Sequence, residues 1–390
     1  MSAPAAMSTS RLFLIGLAGA LALAAGQGFG RFAYTPILPG MMAGLSLSPA
    51  DAGLIAAANF TGYLAGAWLS AYGWAAGRER QAALGALLAN ALLLAAMALV
   101  ETLPPILAIR FLAGVASAFA LVFTSGIVLG AAAGNATVAS LYFSGVGIGI
   151  ALSSLTVMAV SLVAGGSEGW QASWLAGAGF SLCVFALAAL VLPKRGRSER
   201  PAAEPPLEWK PLFVLTTVSY CLFGFGYIIT ATFLVAIARE GGTGQTVEFL
   251  AWLGTGIAAA VSLFVWQPMI RRRGAEPVFA LCMLLLAGGV LASVLLPARL
   301  AVVAGGVLLG GTFMVITSCG LQTGRRFAEA SPRRAFAIMT AIFGAGQIAG
   351  PLAAGWAAQA SGSYAPGSFM AAAALLAGAG LLVPVIAGRR

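Results

Sequence analysis

Two arginines sit inside long apolar runs: Arg31, within Gly28-Phe-Gly-Arg-Phe, and Arg110, within the run that begins near Pro105. A charge at the centre of a membrane span costs about 2.5–3.5 kcal/mol on insertion scales. Each guanidinium must therefore reach water, backbone carbonyls, an acid or an anionic ligand. The eleven acids are Asp51, Glu79, Glu101, Glu168, Glu199, Glu204, Glu208, Glu240, Glu248, Glu276 and Glu329, and all fall in loops or at the ends of apolar runs. Two readings stand side by side. In one, Arg31 and Arg110 face a central cavity and attract an anionic or strongly polar solute. In the other they bond helix-end carbonyls, snorkel outward, or pair with Asp51 or Glu101. Arg31 favours the first reading; Arg110 is evenly balanced, lying only about a turn and a half into its run.

Other chemistry is restricted by what the chain lacks. It has no histidine, which excludes imidazole metal sites, Ser-His catalysis and histidine proton relays. No Gly-x-x-x-x-Gly-Lys-Ser/Thr loop is present, which argues against direct use of ATP. Cys183, Cys221, Cys282 and Cys319 each fall inside an apolar run without metal-type spacing and read as small packing residues.

Hydrophobic residues make up 60% of the 390 positions and charged residues 8%, against about a quarter charged in a soluble domain. The apolar runs exceed the roughly 18 residues that mark a membrane helix. They are bracketed as Arg11–Gly40, Ala50–Gly73, Ala82–Val100, Pro105–Ala132, Val138–Ala164 and Trp170–Leu192, then Pro211–Ala238, Val247–Ile270, Glu276–Leu296, Leu300–Thr323, Arg334–Ala360 and Pro366–Ala387. Between the two sets lies a polar, proline-containing stretch, Pro193–Lys210, which reads as a flexible linker. Leu21-Ala-Leu-Ala-Ala resembles a signal-cleavage site, but the apolar run continues well past it, so the segment reads as a first span.

The basic residues orient these spans. With the N-terminus inside, the inner segments carry Arg11, Arg78, Arg80, the five linker residues Lys194, Arg195, Arg197, Arg200 and Lys210, then Arg271–Arg273, Arg325, Arg326, Arg333, Arg334, Arg389 and Arg390. That is 17 of the 21 Lys and Arg, and the outer loops keep only Arg239 and Arg299. The asymmetry predicts an even number of crossings with both termini cytoplasmic. The net charge of +10 is thus topology information rather than a nucleic-acid surface.

The second set of runs repeats the first. Gly28-Phe29-Gly30 is matched by Gly224-Phe225-Gly226 at an offset of 196. Gly62 and Arg78 fall on Gly256 and Arg272 at 194, and Gly145 and Gly149 on Gly346 and Gly350 at 201. Several matches in order at nearly constant offset point to an internal duplication of six helices.

Local motifs extend this pattern. The turn with Gly73, Gly77, Arg78 and Arg80 resembles the loop between helices two and three of the major facilitator superfamily, without that motif's Asp. Arg110-Phe-Leu-Ala-Gly114 resembles the Arg-x-x-x-Gly pattern of helix four, and Gly346-Gln-Ile-Ala-Gly350-Pro351 a helix-eleven signature. Gly28-Phe-Gly-Arg-Phe-Ala-Tyr-Thr-Pro-Ile-Leu-Pro39 and Ala57-Ala-Asn-Phe-Thr-Gly-Tyr-Leu-Ala-Gly66 are similar to the YbfB/YjiJ-type branch.

That resemblance implies an all-α polytopic membrane protein with twelve transmembrane helices in two six-helix bundles. The bundles are residues 1–192 and 211–390, joined by a cytoplasmic linker, 193–210. It also implies a secondary transporter of a small solute working by alternating access, with the solute site between the halves near the midplane. The solute is expected to be an organic anion or a polar metabolite; efflux of amphipathic compounds is the alternative. An integral membrane enzyme or sensor is disfavoured, because no acid or metal-ligand cluster and no soluble signalling domain stands out.

Helices one and seven, with four and ten, line the cavity in this superfamily, so Tyr34, Tyr227 and Thr230 join Arg31 and Arg110 as expected solute contacts. Gln347 is added to them, although it, like Asn59, reads equally well as an interhelical hydrogen bond worth about 0.6 kcal/mol. Gly62, Gly66, Gly145, Gly149, Gly346, Gly350 and Pro351 are expected at helix packing or gating contacts. No metal or cofactor is expected, and the expected partners are a small-molecule substrate and the lipid bilayer of a cytoplasmic (inner) membrane, without nucleic acid. The protein is expected to be a monomer. Coupling to protons has no evident buried acid; Asp51 or Glu276 at span ends would have to serve, or the protein is a facilitator or exchanger.

Overall fold

The computed structural model describes residues 8–132, 134–164, 169–193 and 204–388. Residues 194–203 of the expected linker, with Lys194, Arg195, Arg197 and Arg200, lie outside them, as do Glu168, Glu199, Arg389 and Arg390. Among the described residues the chain is helical, without strands, and twelve helices are long and apolar enough to cross a membrane. They are α1 (Thr9–Leu45), α2 (Pro49–Ser70), α3 (Glu79–Met97), α4 (Leu103–Ala132), α5 (Ala136–Ala164) and α6 (Trp170–Val191), then α7 (Pro211–Glu240), α8 (Gln245–Arg273), α9 (Ala275–Leu295), α10 (Ala298–Phe327), α11 (Pro332–Ser361) and α12 (Ala365–Ala387). Each apolar run of the sequence becomes one helix.

Local chemistry sets the helix ends. At the start of α2, the Ser48 hydroxyl accepts the Asp51 amide at 3.1 Å and the Asp51 carboxylate accepts the Ser48 amide at 3.0 Å, with Pro49 in the first turn. This reciprocal cap satisfies two amides that the helix cannot. Asp51 is therefore committed to a helix start. Between α8 and α9 the chain reverses at the single residue Gly274, whose φ of 86° suits a residue without Cβ. Glu276, just beyond, is buried and accepts from Arg326 of α10 at 2.7 Å.

One helix departs from the expected regularity. Residues Ala24–Phe32 of α1 form a π-helical stretch, closed by the Ala33 amide donating to the Gly28 carbonyl at 2.7 Å. The wider turn lets α1 run on to Leu45, five residues past the expected end at Gly40, although Pro36 and Pro39 lie in its path. Such stretches are rare and often sit at functional sites.

The duplicated glycines recur in equivalent packing. Gly145 and Gly149 of α5 lie against the α1 backbone at Ala20, Ala24 and Gly28. Gly346 and Gly350 of α11 lie against α7 at Cys221, Phe225 and Ile228. A Cβ on Gly149 would stand 2.7 Å from the Ala24 Cα and 2.8 Å from the Gly28 Cα, so the helices approach this closely only without one. Gly62 and Gly66 pack on α4 at Phe111 and Val115, whereas the aligned Gly256 packs on α5 at Ala151. That pair matches in sequence but not in partner.

The early and late helices meet through α2 on α11, α5 on α8 and α1 on α7. Gly53 of α2 abuts the Pro351 backbone and Gly355 of α11. The Thr35 hydroxyl donates to the Ala231 carbonyl at 2.5 Å, and the Ser154 hydroxyl to the Phe249 carbonyl at 3.0 Å. These contacts lie toward the end that carries the 45–49, 240–245 and 361–365 turns, opposite the arginine-rich end with Arg78, Arg272 and Arg326.

Candidate functional site

The π-helical stretch of α1 is held by side chains from its neighbours. A π turn leaves carbonyls poorly aligned with their own helix, and buried carbonyls need donors. Asn90 of α3 donates to the Ala25 carbonyl at 3.1 Å, and the Ser117 hydroxyl of α4 donates to that of Gly26. Arg110 of α4 donates to Gly30 at 3.2 Å and to Arg31 at 3.3 Å. Asn59 of α2 reaches the Arg110 carbonyl at 2.9 Å and the Gly30 carbonyl at 3.5 Å. Four buried polar side chains thus fix the irregular backbone from which Arg31 projects.

Arg110 and Tyr34 belong to this support. The Arg110 guanidinium is 1% exposed and lies 5.0 Å from the Tyr34 ring and 5.7 Å from Trp174. The Tyr34 hydroxyl donates to the Ala52 carbonyl of α2 at 2.9 Å. The Tyr34 hydroxyl and the two terminal nitrogens of Arg110 are thus engaged by backbone of the first six helices, while the buried Arg110 Nε has no hydrogen-bond partner.

Arg31 points elsewhere. Its Nη1 donates to Gln27 at 3.0 Å, and Gln27 in turn donates to the Ser117 carbonyl at 2.9 Å. Its Nε and Nη2 are buried and have no hydrogen-bond partner. The guanidinium carbon lies over aromatic faces instead: 3.9 Å from the Tyr63 ring centre, 5.0 Å from Phe60 and 5.4 Å from Phe32. Cations are attracted to such faces, but a ring leaves the N–H groups unbonded. Among the described residues, neither Arg31 nor Arg110 joins an ion pair.

Residues of the later helices complete the surroundings. Gln347 of α11 donates to the Tyr227 hydroxyl of α7, and the Arg31 side chain comes near enough to that same hydroxyl to interact with it, though not in well-formed hydrogen-bond geometry. The Tyr227 ring lies parallel to Phe313 of α10 and Phe343 of α11, each at 5.8 Å, and 4.8 Å from Phe223. The buried Thr230 hydroxyl, a turn along α7, has no partner. Arg31, Tyr227 and Gln347 therefore come together where the two sets of helices meet. A narrow gap of about 10 Å³, room for no more than one water, lies beside Tyr227, lined also by Phe32, Ile150, Ala231, Trp252, Thr255, Leu309 and Phe313. A larger space of about 60 Å³ lies further along α1, around Pro36, Trp170 and the Arg239–Glu248 pair. Neither space is lined by Arg31 or Arg110, but the smaller one includes Phe32 and Tyr227, which flank Arg31.

Sequence reasoning did not single out Asn90, Ser117 or the aromatic wall. Asn90 and Ser117 were visible as polar residues inside apolar runs; Phe32, Phe60, Phe223, Phe313 and Phe343 carry no signal that separates them from ordinary core.

Comparison with known proteins agrees with this architecture. A family model described as uncharacterised MFS-type transporter YbfB matches residues 23–383. No curated protein matches the chain. Among solved structures, a point mutant of the nucleoside transporter NupG superposes with a TM-score of 0.72 at 15% identity, covering 96% of this chain and 98% of that one. A bacterial homologue of the human lysosomal transporter Spinster, captured inward-facing and unoccupied, gives a TM-score of 0.65 at 14% identity, covering 98% and 96%. At such identities the structural likeness concerns the fold. The family match over nearly the whole chain, with twelve membrane-length helices, places this protein in the YbfB-type branch of the major facilitator superfamily, a family of transporters.

Proposed function

We propose that this transporter carries a small organic anion across the cytoplasmic membrane by alternating access, with Arg31 as the solute contact. The observation that carries the reading is a guanidinium buried between the early and late helices, with two nitrogens unbonded and no acid paired to it. A buried charge without a partner is costly, and a solute that supplies the missing anion recovers that cost. In this reading residues 1–192 and 211–390 rock as two bundles about the linker 193–210, with both termini cytoplasmic and the monomer as the working unit. Tyr227, Gln347 and Thr230 contact the solute from the second bundle. Arg110 and Tyr34 position Arg31 rather than touch the solute in the conformation described. Asp51, held in its cap, and Glu276, held by Arg326, favour a facilitator or exchanger over proton coupling through either acid.

The test is counterflow in proteoliposomes with a panel of organic anions, polar neutral metabolites and nucleosides, the last because NupG is named for them. Arg31→Ala is expected to abolish uptake of the transported anion at normal expression. Wild-type kinetics in that variant would end the reading.

A further inference from the structure

Tyr63 of α2 stands between Arg31 and open space. Its ring lies over the guanidinium carbon at 3.9 Å, closer than Phe60 or Phe32 at 5.0 and 5.4 Å. Arg31 itself is 7% exposed, whereas Tyr63 is partly exposed. That exposure does not face lipid. The outward face of α2 carries Leu54, Thr61 and Trp68, all exposed and spaced two helical turns apart. Tyr63 lies roughly 160° round the helix from Thr61, on the inward side with the buried Asn59 and Phe60.

The opening in front of it lies toward the arginine-rich end. Tyr63 is within electrostatic range of the Tyr142, Tyr220 and Tyr227 hydroxyls. Tyr142 and Tyr220 sit in the first third of α5 and α7, near that end, whereas Arg31 is past the middle of α1. At the other end the early and late helices close on each other through Thr35, Gly53 and Ser154. Tyr63 therefore caps Arg31 on the side away from those contacts.

Rocking of two bundles does not part Tyr63 from Arg31, because both belong to the first six helices and move together. The α2 backbone at Tyr63 is also pinned: a Cβ on Gly114 of α4 would stand 2.7 Å from the Tyr63 nitrogen. Movement is left to the side chain, whose hydroxyl makes no hydrogen bond among the described residues. A ring face attracts a guanidinium but leaves its N–H groups unbonded, and a charge-assisted bond to an anion is the stronger contact. Resting on the reading of Arg31 as the solute contact, we infer that Tyr63 is a side-chain gate over it. The ring covers the guanidinium in the empty protein and turns aside as a solute anion arrives from the arginine-rich end.

The experiment treats the purified full chain with butanedione, a small reagent for guanidinium groups, and follows each arginine by peptide mass spectrometry. In wild type Arg31 is expected to react slowly yet measurably, because the gate opens, while Arg110 stays unreactive on its carbonyls. In Tyr63→Ala the Arg31 rate is expected to rise about tenfold, the order of factor that a desolvated ring face contributes. Tyr63→Phe keeps the ring and is expected to protect Arg31 as wild type does. Tyr63→Leu fills space without a ring face; it is expected to follow Tyr63→Ala and carries the test if the alanine variant does not fold. An unchanged Arg31 rate in these two variants overturns the inference, and so does loss of protection in Tyr63→Phe. Complete inertness of Arg31 in wild type means a fixed cover, an equal rise at Arg110 means general loosening, and either result overturns it too. The reaction needs no solute, so these outcomes leave the transport reading untouched. Uptake at the wild-type rate by Arg31→Ala removes both.

Discussion

The guanidinium of Arg110 donates to the main-chain carbonyl of Arg31 at 3.3 Å and to that of Gly30 at 3.2 Å. One intramembrane arginine thus holds the backbone that carries the other. The same residue type, buried in apolar sequence in both cases, bonds two carbonyls and leaves only Nε without a partner in one case, and is left with two unbonded nitrogens in the other. Asn59 strengthens the arrangement by bonding the Arg110 carbonyl at 2.9 Å.

Stability and transport should therefore separate between the two arginines. Arg110→Ala removes two charge-assisted hydrogen bonds, each worth about 1.5–3 kcal/mol, and leaves two carbonyls of the π stretch short of donors. Its unfolding temperature in detergent should fall clearly. Arg31→Ala removes a buried charge with one hydrogen bond and no acid partner, so its unfolding temperature should stay level or rise while transport is lost. A marked fall for Arg31→Ala with little change for Arg110→Ala contradicts this division.

The glycines of α5 make a second separation. Gly149 faces α1 within the first six helices, and a Cβ there would meet Ala24 and Gly28 at 2.7 and 2.8 Å. Gly149→Ala should cost about 1–3 kcal/mol through overpacking. Gly147, half a turn earlier, faces Gly256 and Ala260 of α8 instead. Gly147→Ala should leave each set of helices folded but push α5 from α8, opening the 45–49 end. Thiol labelling of cysteines introduced at Pro36 and Val235 should speed up in Gly147→Ala; unchanged labelling rules out this contact as part of the seal.

The helices were legible because hydropathy is a sum over some twenty residues and tolerates local exceptions. Each apolar run became one span, and the Gly145/Gly346 and Gly149/Gly350 matches reappeared as equivalent packing on α1 and α7. The π stretch at Ala24–Phe32 was not legible. Its sequence, with Gly26, Gly28 and Gly30, is also compatible with an ordinary close-packed helix, and its cause lies in donors from Asn59, Asn90, Arg110 and Ser117 on three other helices. The site follows the same rule. Arg31 stood out as a charge in apolar sequence, but its aromatic surroundings arise from five helices spread along the chain, and phenylalanine in a membrane span draws no notice by itself. Gly62 and Gly256 mark the opposite error, a match in spacing that hides different partners.

Across the interface, Gln347 donates to the Tyr227 hydroxyl, with which the Arg31 side chain also interacts. Tyr227→Phe keeps the ring stack with Phe313 and Phe343 but leaves the Gln347 amide without its acceptor. The lost bond is worth about 1 kcal/mol in stability. If the pair touches solute, KM should rise several-fold with little change in expression. An unchanged KM in counterflow assigns the pair to packing alone.

The linker end offers a pH-dependent contact away from the site. The Glu204 carboxylate accepts the amides of Arg333 and Arg334 at 3.1 Å each and the Arg333 Nε at 2.8 Å. An anion at a helix N-terminus is favoured by the free amides there. Loss of solvent works to raise the Glu204 pKa, but the Arg334 amide and the Arg333 side chain and amide outweigh it and hold the carboxyl below its usual value. A depressed carboxyl pKa contributes stability that is fully present above the unfolded value, about 4.3 for glutamate, and is lost as pH falls through the folded value. The Ser331 hydroxyl also donates to the Pro205 carbonyl at 2.8 Å, so the segment from Glu204 to Pro206 is tied to the start of α11 at two points. Amide hydrogen exchange in residues 204–210, corrected for the intrinsic pH dependence of exchange, should accelerate as the sample is acidified below pH about 4. Glu204→Gln should show the faster exchange already at neutral pH and lose most of the acid dependence. Equal protection in wild type and Glu204→Gln across that range would mean that Ser331, and not the carboxylate, docks the linker.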